Sequence, residues 1–182
     1  MLHSVALGDT TPAETAPATP TPSASAATDA AGAAALQPAL SAEHAAVYGY
    51  GVVGARLPED QRADARSAYA AHEARRDAWQ RLIAGLGGTP SAASAGYQLP
   101  FAVTDAASAT RLAAHLETRL TTVYADLVAA VPAAHRATAA EALRECALRA
   151  RRWGAEVPAL PGIPDAPSTA APTATATATP TG

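Results

Sequence analysis

Lysine is absent from the sequence, and all 13 basic residues are arginine. Four of the 16 acidic residues (Asp9, Glu14, Asp29 and Asp165) fall near the ends of the chain, so the middle sets 12 acidic residues against 13 arginines. Near-neutrality of that kind leaves no electrostatic footprint for nucleic acid. Cysteine occurs once, at Cys146, which excludes an intramolecular disulfide framework and a zinc site built from cysteines. Its alanine- and leucine-rich surroundings predict a buried, inert thiol.

Long apolar runs are missing too. The longest uncharged one, from Ala45 to Ala55, falls far short of the roughly 20 residues that span a bilayer. The N-terminus opens Met1-Leu2-His3-Ser4, without a charged segment leading into an apolar one as secretory signals have. As written, the chain reads as cytoplasmic with no membrane span. A start codon lying further upstream would instead make it an exported or cell-envelope protein, with its Thr/Pro-rich ends as a stalk.

Aromatic residues amount to 4% of the chain, while alanine inflates the hydrophobic fraction to 49%. A core of Ala, Leu and Val suits helices, since alanine has the highest helix propensity. It suits sheets poorly, because β-branched and aromatic residues are sparse. Residues 1–32 and 164–182 consist largely of Ala, Thr, Pro and Ser; they bury too little to offset the entropy of ordering and are expected to be disordered.

Between these tails, residues 33–163 carry apolar positions at helical spacing in four segments. The first runs from about Leu36 to Leu57, with Leu36, Leu40, Val47, Tyr50 and Gly54 on its stripe and Glu43 among them. The second runs from near Asp60 to Leu86, through Ala65, Tyr69, Trp79 and Ile83, with His72 on the same face; Gly87-Gly88 stops it. The third follows Asp105, a suitable N-cap, and holds Leu112, Leu116, Leu120, Val123, Tyr124, Leu127 and Val131, bordered by Glu117. The fourth extends from about Ala134 to Glu156, through Ala139, Leu143, Cys146, Ala150 and Trp153. Trp79 and Trp153 read as core anchors.

The first and second segments, and the third and fourth, are joined by only a few residues around Pro58 and Pro132, which makes each pair an antiparallel hairpin. The stretch from about Gly87 to Thr104 is long enough to cross the bundle from end to end. Two helical hairpins joined by one long crossover give an all-α, ferritin-like four-helix bundle. An up-down bundle with a loose middle segment is the alternative, against which Tyr97, Leu99, Phe101 and Val103 stand as residues suited to packing.

A two-metal site in such a bundle takes one Glu from each of two helices and a Glu-x-x-His pair from each of the others. Glu43 and Glu117 stand where the single glutamates belong, and His72 where one imidazole belongs. The residue three before His72 is Tyr69, however, and the fourth segment has no histidine on its stripe; Glu141 and Glu145 lie off it. About half the donor set is present. The preferred reading of Glu43, His72 and Glu117 is therefore a buried polar network with Tyr69, needing no cofactor. Tyr48, Tyr50 and Tyr124 are further hydroxyl sources, and Arg75 or Arg119 supplies charge. The other reading is a metal site for iron or manganese built from Glu43, His72 and Glu117.

Gly49, Gly51 and Gly54 inside the first helix are explained by close helix packing. Arg144, Arg149, Arg151 and Arg152 lie within helical reach of Glu141, Glu145 and Glu156 and read as a solvated ion-pair face. His44, His115 and His135 have no partners at ligand spacing and are expected at the surface.

The blocks Glu43-His44-Ala45-Ala46-Val47-Tyr48-Gly49-Tyr50-Gly51, His72-Glu73-Ala74-Arg75-Arg76-Asp77, Tyr97-Gln98-Leu99-Pro100 and Arg149-Ala150-Arg151-Arg152-Trp153 resemble those of a ferritin-like family of unknown function found in actinobacteria. The resemblance covers about residues 34–163 and implies the fold, but no established activity, substrate or cofactor. The expectation is a non-catalytic binding or interaction module that forms a homodimer through an alanine-rich helix face. Its rivals are a carboxylate-bridged metal protein or oxidoreductase and a cell-envelope protein.

Overall fold

The computed structural model describes residues 23–158. The C-terminal tail and most of the N-terminal one lie outside them. Four helices make up the fold: α1 (Ala24–Arg56), α2 (Glu59–Gly85), α3 (Ala106–Ala130) and α4 (Ala133–Arg152). Among the described residues there is no strand, and no helix is long and apolar enough to cross a membrane.

α1 begins well before Leu36, inside the stretch expected to be tail. Ser23 caps it by accepting from the Ala26 N–H, and the alanines that follow need no large side chain to propagate a helix. Gly32 and Ala33 are already buried. Pro38 lies inside α1 and has no N–H for the carbonyl four residues back. Pro38 and Ala34 are both exposed, so the missing bond falls on the solvent side.

α3 starts where Asp105 predicts, with a full capping box: Asp105 accepts from the Ser108 N–H at 2.8 Å and Ser108 Oγ accepts from the Asp105 N–H at 3.1 Å. The C-termini of α2 and α4 close alike. Gly87 and Gly154 take positive φ values of 76° and 85°, and the next N–H reaches back to Ile83 or Ala150 at 2.9 Å. This is the Schellman stop that glycine permits without steric cost. It ends α4 at Arg152, short of the expected Glu156.

Gly32 lies against Leu86 and Pro132 at one end of the bundle. At the other, Val53 and Leu57 pack with Ala65, Val103 and Ala109. Hence α1 and α4 run one way and α2 and α3 the other, with residues 86–105 crossing from end to end. The expected pair of hairpins joined by a long crossover is what the chain forms. Gln37 of α1 fixes the start of the crossover through Thr89 and Ser91.

The core divides into two clusters. One centres on Leu36, Leu40, Trp79, Ile83, Leu127 and Cys146. The other, at the opposite end, holds Tyr50, Val53, Leu57, Ala109 and Leu112. On each helix one ionisable residue lies at or near the boundary of the two.

Candidate functional site

The layer between the clusters takes one ionisable residue from each helix: Glu43 from α1, His72 from α2, Glu117 from α3 and Arg149 from α4. Glu43, His72 and Glu117 are at most 1% exposed. Each sits where its helix's apolar stripe continues on both sides, so the fold buries it regardless of polarity. Burying such groups is tolerable only if they are paired.

His72 is held at both ring nitrogens, with Nδ1 2.7 Å from Oε2 of Glu43 and Nε2 3.0 Å from Oε1 of Glu117. Carboxylates accept only, so both nitrogens donate and the ring is an imidazolium. Burial alone would lower the His72 pKa; hydrogen bonds to Glu117 and Glu43 and their charges prevail and raise it to about 9. For Glu117 the balance is mirrored. Burial raises its pKa, but the His72 hydrogen bond and charge, with Arg149 and Tyr50, bring it below the ordinary carboxylate value.

Two tyrosines complete the acceptors. Tyr50 donates to Glu117 Oε1 at 2.6 Å, and Tyr124 donates to Glu43 Oε1 while accepting from Trp79 Nε1 at 3.0 Å. Burial first, and the facing glutamate second, raise both phenol pKa values, so both hydroxyls remain donors. The imidazole of His72 stacks on the Tyr50 ring at 5.2 Å between centroids.

Arg149 is the member that the sequence reading assigned to a solvated face. Its Nε donates to Glu117 Oε1 at 3.0 Å, with the side chain 22% exposed. Burial disfavours its charge, and Glu117 outweighs that and raises its pKa. Its signal was legible: Arg149 lies three residues after Cys146 and four before Trp153, on the fourth segment's own stripe. Glu145 is drawn in behind it, accepting from Arg75 Nη2 at 2.5 Å.

Tyr69 was the hydroxyl paired with this network in the sequence reading. It is half-buried, packs on the Tyr50–Leu112 cluster and, among the described residues, makes no hydrogen bond to Glu43, His72 or Glu117. It faces a shallow cavity with Gly51, Gly54 and Arg62. Arg75 stands one pair removed, and Arg119 lies exposed on another face of α3.

The structure corrects two further expectations. His44 is buried at 7% exposure, because the crossover covers it and its Nε2 meets the Ser91 carbonyl at 3.2 Å. Of Gly49, Gly51 and Gly54, only Gly49 stands at a close approach, where an added Cβ would come within 2.6 Å of Leu116 Cδ1; Gly51 and Gly54 face open space. Cys146 is buried, and burial first, then Glu117 and Glu43, push its thiol pKa up.

Two carboxylates thus face one imidazolium and one guanidinium, a charge-compensated layer. Among the described residues, no three His, Cys, Asp or Glu side chains are grouped to hold a metal ion. α4 presents Cys146 and Arg149 to the layer where a Glu-x-x-His pair would be needed, so the donor set does not fit a two-metal centre. Glu117 Oε2 is the one buried side-chain oxygen or nitrogen without a partner among the described residues.

The chain shares 41% sequence identity with a conserved hypothetical protein, rv2844, from Mycobacterium tuberculosis, whose crystal structure it matches at a TM-score of 0.65 over 68% of this chain and 94% of that one. No curated protein matches the sequence. A domain family without assigned function matches residues 35–165, which takes in all four network residues and both hairpins except the first turns of α1. By that match the protein belongs to the family described as domain of unknown function (DUF4439).

Proposed function

We propose that this protein is a non-catalytic binding module on a ferritin-like bundle, in which a metal centre is replaced by the chain's own charges. The observation that carries this reading is His72 clamped between Glu43 and Glu117 by both nitrogens, with Arg149 as the second cation. An imidazolium and a guanidinium already neutralise the two carboxylates. A cation entering there would have to displace a proton from His72 and repel Arg149. With its chemistry-bearing groups consumed internally, the interior serves as a rigid support and recognition falls to the surface.

One observation favours the rival, an iron- or manganese-binding protein: the unpartnered Oε2 of Glu117 leaves a single buried oxygen for a cation. The deciding measurement is metal content per chain after growth with iron and manganese, purified without chelator or polyhistidine tag. Glu43→Ala, His72→Ala and Glu117→Ala are prepared alongside. The expected result is no stoichiometric metal in any sample and lowered melting temperatures in all three variants. One or about two metals per chain, lost on substitution, would establish the rival.

A further inference from the structure

The crossover is pinned at both ends, and between them Leu99 packs on the core while Tyr97 meets Tyr48 of α1. Near its start, Gln37 accepts from Ser91 N and Oγ at 3.0 and 2.6 Å and donates to the Thr89 carbonyl at 2.8 Å. Toward its end, Phe101 packs beneath the Arg111 guanidinium, 5.3 Å from the ring centroid, and Val103 is buried. Residues 97–100 between these anchors roof a cleft of about 320 Å³ over α1 and α3.

The cleft exists because, Tyr48 apart, α1 offers small side chains there, Ala42, Ala45 and Gly49 among them, while Leu116 and Leu120 of α3 form the opposing wall. Tyr48, 42% exposed, and Tyr97 stand as a tilted ring pair 5.4 Å apart at its side. An apolar cavity of about 150 Å³ accepts benzene, so this one has room for a body of roughly two rings. Its polar lining is distinctive in sign. Arg119 and His115 border it, and no acidic residue does. Among the described residues Arg119 takes part in no ion pair. An exposed guanidinium beside an apolar cavity matches a carboxylate carried on an apolar body, because its planar fork can grip both oxygens at once.

We infer that the crossover cleft binds a small carboxylate with an apolar body, which lies against Leu116, Leu120 and the α1 alanines while its carboxylate meets Arg119. This assignment deepens the binding-module reading and rests on it.

The test is titration calorimetry on the full chain with 2-naphthoate, decanoate and the uncharged 2-naphthamide. The expected outcome is saturable one-site binding of at least one carboxylate, with the amide at least about tenfold weaker. Arg119→Gln should weaken the carboxylate by a similar factor, and Ala45→Phe, which fills the cleft, should abolish binding. Melting curves confirm that both variants fold; Ala45→Leu is the gentler substitute if the phenylalanine is not accommodated.

Absence of binding by either carboxylate at millimolar concentration would overturn the assignment. So would equal affinity for the amide, or binding indifferent to both substitutions. A concentration-dependent dimer that Ala45→Phe dissociates would give the cleft to a second copy of the chain and overturn it as well. Metal content, measured on the same preparation, separates this result from the broader reading. Metal-loaded protein that binds naphthoate would sink the non-metal reading alone, and metal-free protein that ignores naphthoate would sink the cleft alone.

Discussion

The Tyr50 hydroxyl of α1 lies 2.6 Å from Oε1 of Glu117 on α3, and Tyr124 of α3 donates in return to Glu43 of α1. On each helix the tyrosine follows the glutamate by the same interval, Glu43 to Tyr50 and Glu117 to Tyr124, which is about two turns along one face. Because α1 and α3 run in opposite directions, the repeated spacing brings each tyrosine level with the other helix's glutamate. His72 bridges the two glutamates across the middle. Arg149 joins one of them from the fourth helix.

The crossed pair sets an order among the tyrosines. Tyr50→Phe should lower unfolding free energy by about 1.5–3 kcal/mol, the range for a hydrogen bond to a charged acceptor. Tyr124→Phe should cost more, since it also strands the Trp79 N–H. Tyr69→Phe should fall within about 0.5 kcal/mol of the parent. Urea unfolding of the three variants checks the ranking; an equal or larger loss at Tyr69 would contradict the network described above.

Glu117→Gln preserves shape but removes the charge between His72 and Arg149. Breaking a buried ion pair by removing one partner leaves the other uncompensated, and a loss of roughly 3 kcal/mol is expected. The double variant Glu117→Gln/Arg149→Met should lose less than the sum of the single ones. Additive losses would mean that Arg149 and Glu117 are not coupled.

The pH dependence has a definite sign. His72 is raised from its ordinary 6.5 to about 9 in the folded protein, so its contribution is fully present below 6.5 and is lost as pH rises through about 9. Glu117 is lowered from its ordinary 4.5, so its contribution is present above 4.5 and fades as pH falls through the depressed folded value. Stability should therefore be highest between these limits and decline on the alkaline side. Thermal melts across pH, with His72→Gln as reference, test this. An alkaline decline of equal size in the variant would remove His72 as its cause.

Glycine substitutions separate the close approach from the open positions. Gly51→Ala should stabilise α1 by about 0.5–1 kcal/mol, because nothing lies near the added methyl group. Gly49→Ala should gain less or lose stability, since its Cβ forces Leu116 to move. Equal gains at both positions would show that Leu116 yields freely.

Much of the fold was legible because it rests on local rules. Helical spacing of apolar residues, the Asp105 cap and the Gly87-Gly88 stop located α2 and α3 almost to the residue. The α1 start is not legible in the sequence, because the alanine-rich segment before Leu36 has the composition of a tail, yet Gly32 and Ala33 are buried in the bundle. α4 ends before Glu156 because Gly154 takes a positive φ and stops the helix, whereas apolar spacing alone carries the pattern past it. Glu43, His72 and Glu117 stood out as charges on apolar stripes. Arg149 did not, because nearby glutamates gave it an easier partner within its own helix.

The sequence by itself determined four helices, two short turns, one long connection and three polar residues inside their apolar faces, since all of these follow from spacing along the chain. Only the tertiary structure decided which groups those residues meet. A hydroxyl two turns along one helix reaches a carboxylate on another only once the helices are antiparallel and in register. Tyr50 rather than Tyr69, and Arg149 rather than Arg75 or Arg119, are outcomes of that register. The cleft beneath the crossover is likewise a property of how distant segments stand apart, which no local pattern records.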